Sequence, residues 1–226
     1  MIQAIVRRCA LRLMTQSLDK TPHQDPKLLQ FALRDGTQVL LRAVICDDRE
    51  RIQNGMAALS SESRYFRFFT SATRLSDQQL RYFSEVDQQS HVAWIALDSS
   101  DPKHPGLGIA RFTRTNEEPT VAEMAFVVID AYQHRGLGTI LLAVLYLMAE
   151  ARRIQVLRAI VLGENTKVSD WLCSLGAAGS YERGEYRLDL TVHRDRALLP
   201  RTPAGENFRR AIEAVQPAIR RMDVSS

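Results

Sequence analysis

The chain has 226 residues, of which 45% are hydrophobic and 25% charged, with a formal net charge of +4 at neutral pH. That length holds one domain with a substantial core and short appendages, and the composition is ordinary for a globular chain, which argues against fibrous or disordered classes. No apolar run reaches the length of a membrane span; the longest, residues 140–149, includes Tyr146 and reads as a buried helix.

The positive excess sits partly at the ends. Arg7, Arg8 and Arg12 precede the first acid, Asp19, and Arg194, Arg196, Arg201, Arg209, Arg210, Arg220 and Arg221 mark the other end. No aromatic residues alternate with these arginines, as binding of single strands requires, so they read as solvated faces and nucleic acid is not the expected partner. Cys9, Cys46 and Cys173 are odd in number and far apart, which predicts reduced thiols and a cytoplasmic setting rather than a disulfide or zinc scaffold. Residues 1–14 are basic and apolar but lack the cleavage pattern of a secretion signal; an amphipathic organellar presequence stays open.

A polar lead-in with Pro22 and Pro26 makes residues 1–30 an expected flexible extension. Folding is expected to begin near Phe31, with Asp35-Gly36 turning a hairpin whose second strand covers residues 39–42. Asp47 and Glu50 form a capping-box pattern ahead of Ile52, Met56 and Leu59 at helical spacing. Residues 60–69, rich in aromatics, predict a second helix, and Ser76 with Gln79 opens a third.

The period then changes. Residues 92–97, 106–113 and 122–129 read as strands, with Pro102, Pro105 and Pro119 in the connections. Residues 139–153 form a helix apolar on most sides, as packing deep against a sheet demands. A strand over 156–162, a helix over 166–175 stopped by Gly176, and a strand over 186–192 complete an α/β mixed sheet. Residues 31–193 are expected to be the folded domain and 194–226 a basic extension with a short helix over 208–215.

Gln133-His134-Arg135-Gly136-Leu137-Gly138 lies between the third of these strands and the apolar helix. A helix start offers N–H groups without internal partners and a partial positive charge, which together bind phosphate. Gly136 and Gly138 remove the Cβ atoms that would keep an anion from the backbone. A Walker loop would need lysine and serine or threonine after its last glycine, where Thr139-Ile140 stands; a dinucleotide fingerprint would need a third glycine, where Leu141 stands.

Gln133-x-x-Gly136-x-Gly138 resembles the Q/R-x-x-G-x-G/A motif of the GNAT superfamily of N-acetyltransferases. AEMAFVV is similar to that family's fourth strand, LLAVLYLMAEA to its coenzyme-facing helix, and LRAIVLGENTKVSDWLCSLGA to its fifth strand, asparagine and fourth helix. Upstream, LRDGTQVLLRAV, SSESRYFRFF and LSDQQLRYFSEVD resemble the acetyltransferase domain of bacterial protein lysine acetyltransferases. The resemblance implies a mostly antiparallel sheet splayed between those two strands, with helices on both faces.

It also implies acetyl-CoA as co-substrate and an acceptor protein or small amine as partner, with no membrane and no metal. The pyrophosphate would lie on the backbone of Gln133, His134, Arg135, Gly136, Leu137, Gly138 and Thr139. The pantetheine arm would run along Phe126, Val127 and Val128 and meet Asn165, which is equally suited to a helix N-cap. Val128 N–H would hold the thioester oxygen.

An amine must lose its proton before it attacks, and Glu123 is the expected base, its pKa raised by apolar neighbours on the strand. Where many members carry a tyrosine as general acid this chain has Leu172, beside Cys173, which is expected to be a small core residue. His23, His91, His104, His134 and His193 show no metal-ligand spacing, and no G-x-S-x-G elbow is present. The aromatic run from Tyr65 to Phe69 reads as core or as the lining of an acceptor channel.

Overall fold

The structure, a computed structural model, describes residues 28–68 and 72–223. Up to residue 27, the expected N-terminal extension, together with Cys9, lies outside them. The elements run β1 (Leu29–Ala32), β2 (Gln38–Ala43), α1 (Arg49–Ala58), α2 (Ser61–Phe68), α3 (Asp77–Ser84), β3 (His91–Asp98), β4 (Gly106–Arg114) and β5 (Val121–Val128). They continue with α4 (Leu137–Ala151), β6 (Val156–Leu162), α5 (Thr166–Ser174), β7 (Ala178–Glu182), β8 (Glu185–Thr191) and α6 (Pro203–Asp223).

The eight strands form one sheet in the order β1-β2-β3-β4-β5-β6-β8-β7. Every neighbouring pair is antiparallel except β5 with β6, which is parallel and registered only from Val121↔Val156 to Glu123↔Arg158. The mixed α/β, mostly antiparallel, splayed sheet expected from the sequence is therefore present.

Alternation along the central strands supplies two cores. Val92, Trp94 and Ala96 of β3 join the large cluster with α4 and α6, while Ala93, Ile95 and Leu97 face the opposite side with Ile52 of α1. Helix α4 is buried from Leu141 through Ala149, which explains its all-round apolarity. Tyr146, fully buried, donates its hydroxyl to the Thr191 carbonyl at 3.2 Å and sets its ring edge-on to Phe208 of α6 at 5.3 Å.

Three local expectations change. Helix α1 starts at Arg49, after a 3-10 turn over Cys46–Asp48, and Asp47 does not cap it. Asp48 is the residue drawn inward: it is fully buried, pairs with Arg42 through two 2.6 Å contacts and accepts from the Ile45 N–H at 3.0 Å. β7 is an additional strand. The C-terminal helix is far longer than residues 208–215, because Phe208, Ile212, Val215 and Ile219 continue one buried stripe past Pro217. By contrast, Ser76 and Gln79 form the expected capping box at 3.2 and 2.8 Å. Among the described residues, no helix is long and apolar enough to cross a membrane.

Candidate active site

The site grows from the parting of β5 and β6. Ile129 donates its N–H to the Leu107 carbonyl at 2.9 Å, continuing the β4–β5 ladder. In an antiparallel ladder this orientation alternates, so Val127 and Ala125 direct their main chain to β4 while Val128 and Phe126 direct theirs to the β6 side. β6 pairs only as far as Glu123, so beyond it a cleft opens along that edge. Trp171 of α5 stands edge-on to Phe126 at 5.4 Å.

Three turns of chain lead from the cleft into α4. A 3-10 turn covers Asp130–Tyr132, His134 takes φ +60° and Gly136 caps the helix at φ +93°. That last value lies in the left-handed region open to glycine. The first intrahelical donor is Ile140, bonded to the Gly136 carbonyl at 3.1 Å. The N–H groups of Leu137, Gly138 and Thr139 precede it and point out of the helix start. A Cβ on Gly138 would meet nothing within 4 Å, so the space before the helix is open to a diphosphate. The residues present fit that group.

The loop is braced from two sides. Asp130 accepts from the Ser60 N–H at 2.9 Å and from the Ser60 and Ser63 hydroxyls at 2.8 and 2.9 Å, tying it to the start of α2. Burial pushes the Asp130 carboxyl upward, but these hydrogen bonds outweigh it and leave its pKa below the ordinary value. Gln133 turns inward, donating from Nε2 to the Val128 carbonyl at 3.1 Å and to Ser63 Oγ at 3.3 Å. On the other side Arg135 pairs with Asp35 at 3.1 Å, and its carbonyl accepts from the Arg34 N–H at 3.1 Å.

The structure thus gathers Phe126, Val128, Gln133, Arg135, Gly136, Leu137, Gly138 and Thr139 around one cleft and one helix start, whereas Val127, also expected along the arm, pairs its main chain with Ile109 of β4 and turns its side chain to Met56 and Leu59. His134 is exposed on the loop, and Asn165 caps α5, accepting from the Val168 N–H at 3.4 Å. Asp130, Ser60 and Ser63 were missed by sequence reasoning. Ser60 and Ser63 read only as a helix start, and nothing local links either to an acid about 70 residues away.

Two side-chain expectations need correcting. Glu123 is exposed, not enclosed by apolar neighbours, because Ala122 and Met124 turn to the opposite face, into the core against α4. Its register partner Arg158 is engaged by Glu118 at 2.6 Å and Asp189 at 2.7 Å, so Glu123 forms no ion pair among the described residues. Cys173 is exposed, and fully buried Leu172 is the residue that enters the core.

On Glu123's face, cross-strand Thr113 lies 3.4 Å from the Tyr82 hydroxyl of α3. Tyr82 stacks on His91 at 4.9 Å between ring centres, and Arg111 contacts His91 Nε2 at 3.1 Å. Burial first, and then the Arg111 charge, lower the His91 pKa to about 3 against the pull of Asp87. The ring is neutral at neutral pH.

The sequence profile of the acetyltransferase (GNAT) family matches residues 55–170. The chain is 36% identical to the acetyltransferase Pat of Mycolicibacterium smegmatis over 145 residues, 64% of this chain and 43% of that one. It is 30% identical to an acetyltransferase of Pseudomonas aeruginosa over 148 residues, 66% of this chain and 79% of that one. The chain therefore spans less than half the length of the mycobacterial relative. The crystal structure of the GNAT domain of S. lividans PAT superimposes with a TM-score of 0.66 at 29% identity, covering 73% of this chain and 96% of that one. With the splayed strands and the helix start described above, these likenesses establish that the chain belongs to the acetyltransferase (GNAT) family, whose members use acetyl-CoA.

Proposed function

We propose that the chain transfers the acetyl group of acetyl-CoA to the ε-amine of a protein lysine by direct attack. The observation that carries this reading is the edge of Phe126 and Val128, free of β6 and leading straight to the start of α4. One strand edge for the pantetheine amides and one helix start for the diphosphate match the two ends of a single long donor. The choice of a lysine acceptor rests on the resemblance of the upstream segments to bacterial protein lysine acetyltransferases.

In this reading the N–H groups of Leu137, Gly138 and Thr139 hold the diphosphate. Gln133 holds the strand end in place through the Val128 carbonyl rather than reaching the phosphates itself. The lysine ammonium gives up one proton to Glu123, the neutral amine forms a bond to the thioester carbon, and the nitrogen releases its second proton to water. The developing oxyanion takes a hydrogen bond from the Val128 N–H. Glu123 precedes Val128 by five residues, roughly 16 Å of extended strand, so the proton passes through water on the exposed face.

The tetrahedral intermediate then collapses, the C–S bond breaks and CoA leaves as its thiolate. Leu172 offers no proton, and a thiol with a pKa of about 8.5 departs without one. Asn165 stays a helix cap that also borders the arm.

Isotopically labelled acetyl-CoA, added with the protein to a cell lysate and followed by mass spectrometry, tests the reading. Label on protein lysines supports it. Label confined to small amines transfers the same chemistry to another acceptor, and no label beyond background overturns it.

A further inference from the structure

Arg67 occupies the last turn of α2. By surface area the residue is half-buried, yet its guanidinium lies deep enough that burial lowers its pKa to about 10, with Tyr82 acting in the opposite sense. Its Nε is shut off from solvent without a hydrogen-bond partner. Among the described residues Arg67 has no carboxylate partner, and its guanidinium carbon lies over the Phe68 ring at 4.8 Å. Arg64, three residues earlier, also has a buried Nε without a partner, although its Nη1 donates to the Leu59 carbonyl.

Burying a cation away from any acid is costly, and buried charges are ordinarily paired. Such groups gather at functional sites. Here the location agrees. The Phe68 ring under Arg67 meets Phe83 edge-on at 5.9 Å, Phe83 meets Tyr82 at 5.4 Å, the Tyr82 hydroxyl lies 3.4 Å from Thr113 Oγ1, and Thr113 is the cross-strand partner of Glu123. The cation therefore stands beside the face on which the acceptor amine meets its base. Five donors in a planar fork suit a carboxylate with two oxygens.

We propose that Arg67 binds a carboxylate of the acceptor, so that the enzyme selects lysines with an aspartate or glutamate close by in the peptide. This inference rests on the acceptor reading given above. Arg67 acts as a specificity residue: it takes no part in proton transfer, and its stem sits on α2, apart from the strand edge assigned to acetyl-CoA.

The test uses the whole chain and paired lysine peptides that differ only in Asp or Glu against Asn or Gln beside the lysine. With wild type, kcat/KM for the acidic peptide should exceed that for its neutral twin by about tenfold, the scale of one charge-assisted hydrogen-bond pair. Arg67→Met should erase the difference while leaving the KM for acetyl-CoA unchanged, and Arg67→Lys should restore part of it. Equal kcat/KM for both peptides with wild type overturns the proposal, as does an undiminished preference in Arg67→Met.

Calorimetry with the same peptides reads the site without turnover. A peptide pair bound with equal affinity overturns the carboxylate site even if acetyl-CoA is consumed, whereas failure to bind CoA would overturn the acetyltransferase reading instead. Free lysine and free glutamate serve as separate arms. If they compete as well as the peptide, the site takes a small amino acid, and the peptide assignment falls.

Discussion

A negative charge at Gly138 should separate the stability of the fold from its grip on coenzyme. Gly138→Glu places a side chain in space where a Cβ meets nothing within 4 Å, at a glycine whose backbone does not need positive φ. In the free protein it replaces a poor helix former with a better one, worth about 0.5–1 kcal/mol. A carboxylate in the first turn also gains roughly 0.3–1 kcal/mol from the helix dipole. The fold should hold or improve slightly.

With a diphosphate at the helix start the sign reverses. Two unit charges about 5 Å apart at an effective dielectric near 20 repel by about 3 kcal/mol, before any loss from steric exclusion. That corresponds to about a hundredfold loss of CoA affinity. Calorimetric titration with CoA, paired with thermal unfolding of the same sample, measures both quantities. Wild-type affinity in a variant at least as stable as its parent would refute the reasoning, since the helix start would then not be the phosphate site.

Glu123→Gln should lower kcat/KM by about 10²–10⁴-fold with CoA affinity unchanged, measured by steady-state kinetics alongside titration. Asp48→Ala leaves the buried Arg42 without its acid and should cost about 3–5 kcal/mol, read from the urea midpoint. Asp130→Ala removes the acceptor shared by Ser60 and Ser63; it should raise the KM for acceptor severalfold through a displaced α2, more than it raises the KM for acetyl-CoA. His91 is held neutral when folded, so the unfolded chain binds a proton first as pH falls. Stability present above pH 6.5 should decline towards about pH 3, at a rate on the order of 1 kcal/mol per pH unit, and His91→Gln should flatten that slope in acid titrations of unfolding.

Much of the frame was legible because its signals are local. Ser76 and Gln79 sit at capping-box spacing, and residues 156–162 are apolar but for Arg158; both appear where the sequence puts them. The glycine-bearing turn into α4 was legible for the same reason, since Gly136 takes the positive φ that such a helix entry uses.

What escaped depends on partners distant in sequence. β7 has no buried residue and no alternation; it exists because β8 offers an edge, and Gly179 allows that approach, since a Cβ there would lie 1.7 Å from the Arg187 carbonyl oxygen. Asp47 looked like the helix cap because capping rules cannot foresee that Arg42 draws Asp48 inward. The helix expected only over residues 208–215 runs on through Pro217, because burying its apolar stripe against α4 outweighs one lost backbone bond. The environment of Glu123 failed in another way: its apolar neighbours in sequence are, through strand alternation, on the other face of the sheet.

The most direct test is a backbone amide NMR titration of the whole chain with CoA. The account predicts the largest shifts at Leu137, Gly138 and Thr139, with a second set at Phe126 and Val128 along the free strand edge. Saturating binding with those five amides unmoved, and shifts centred elsewhere, would contradict it.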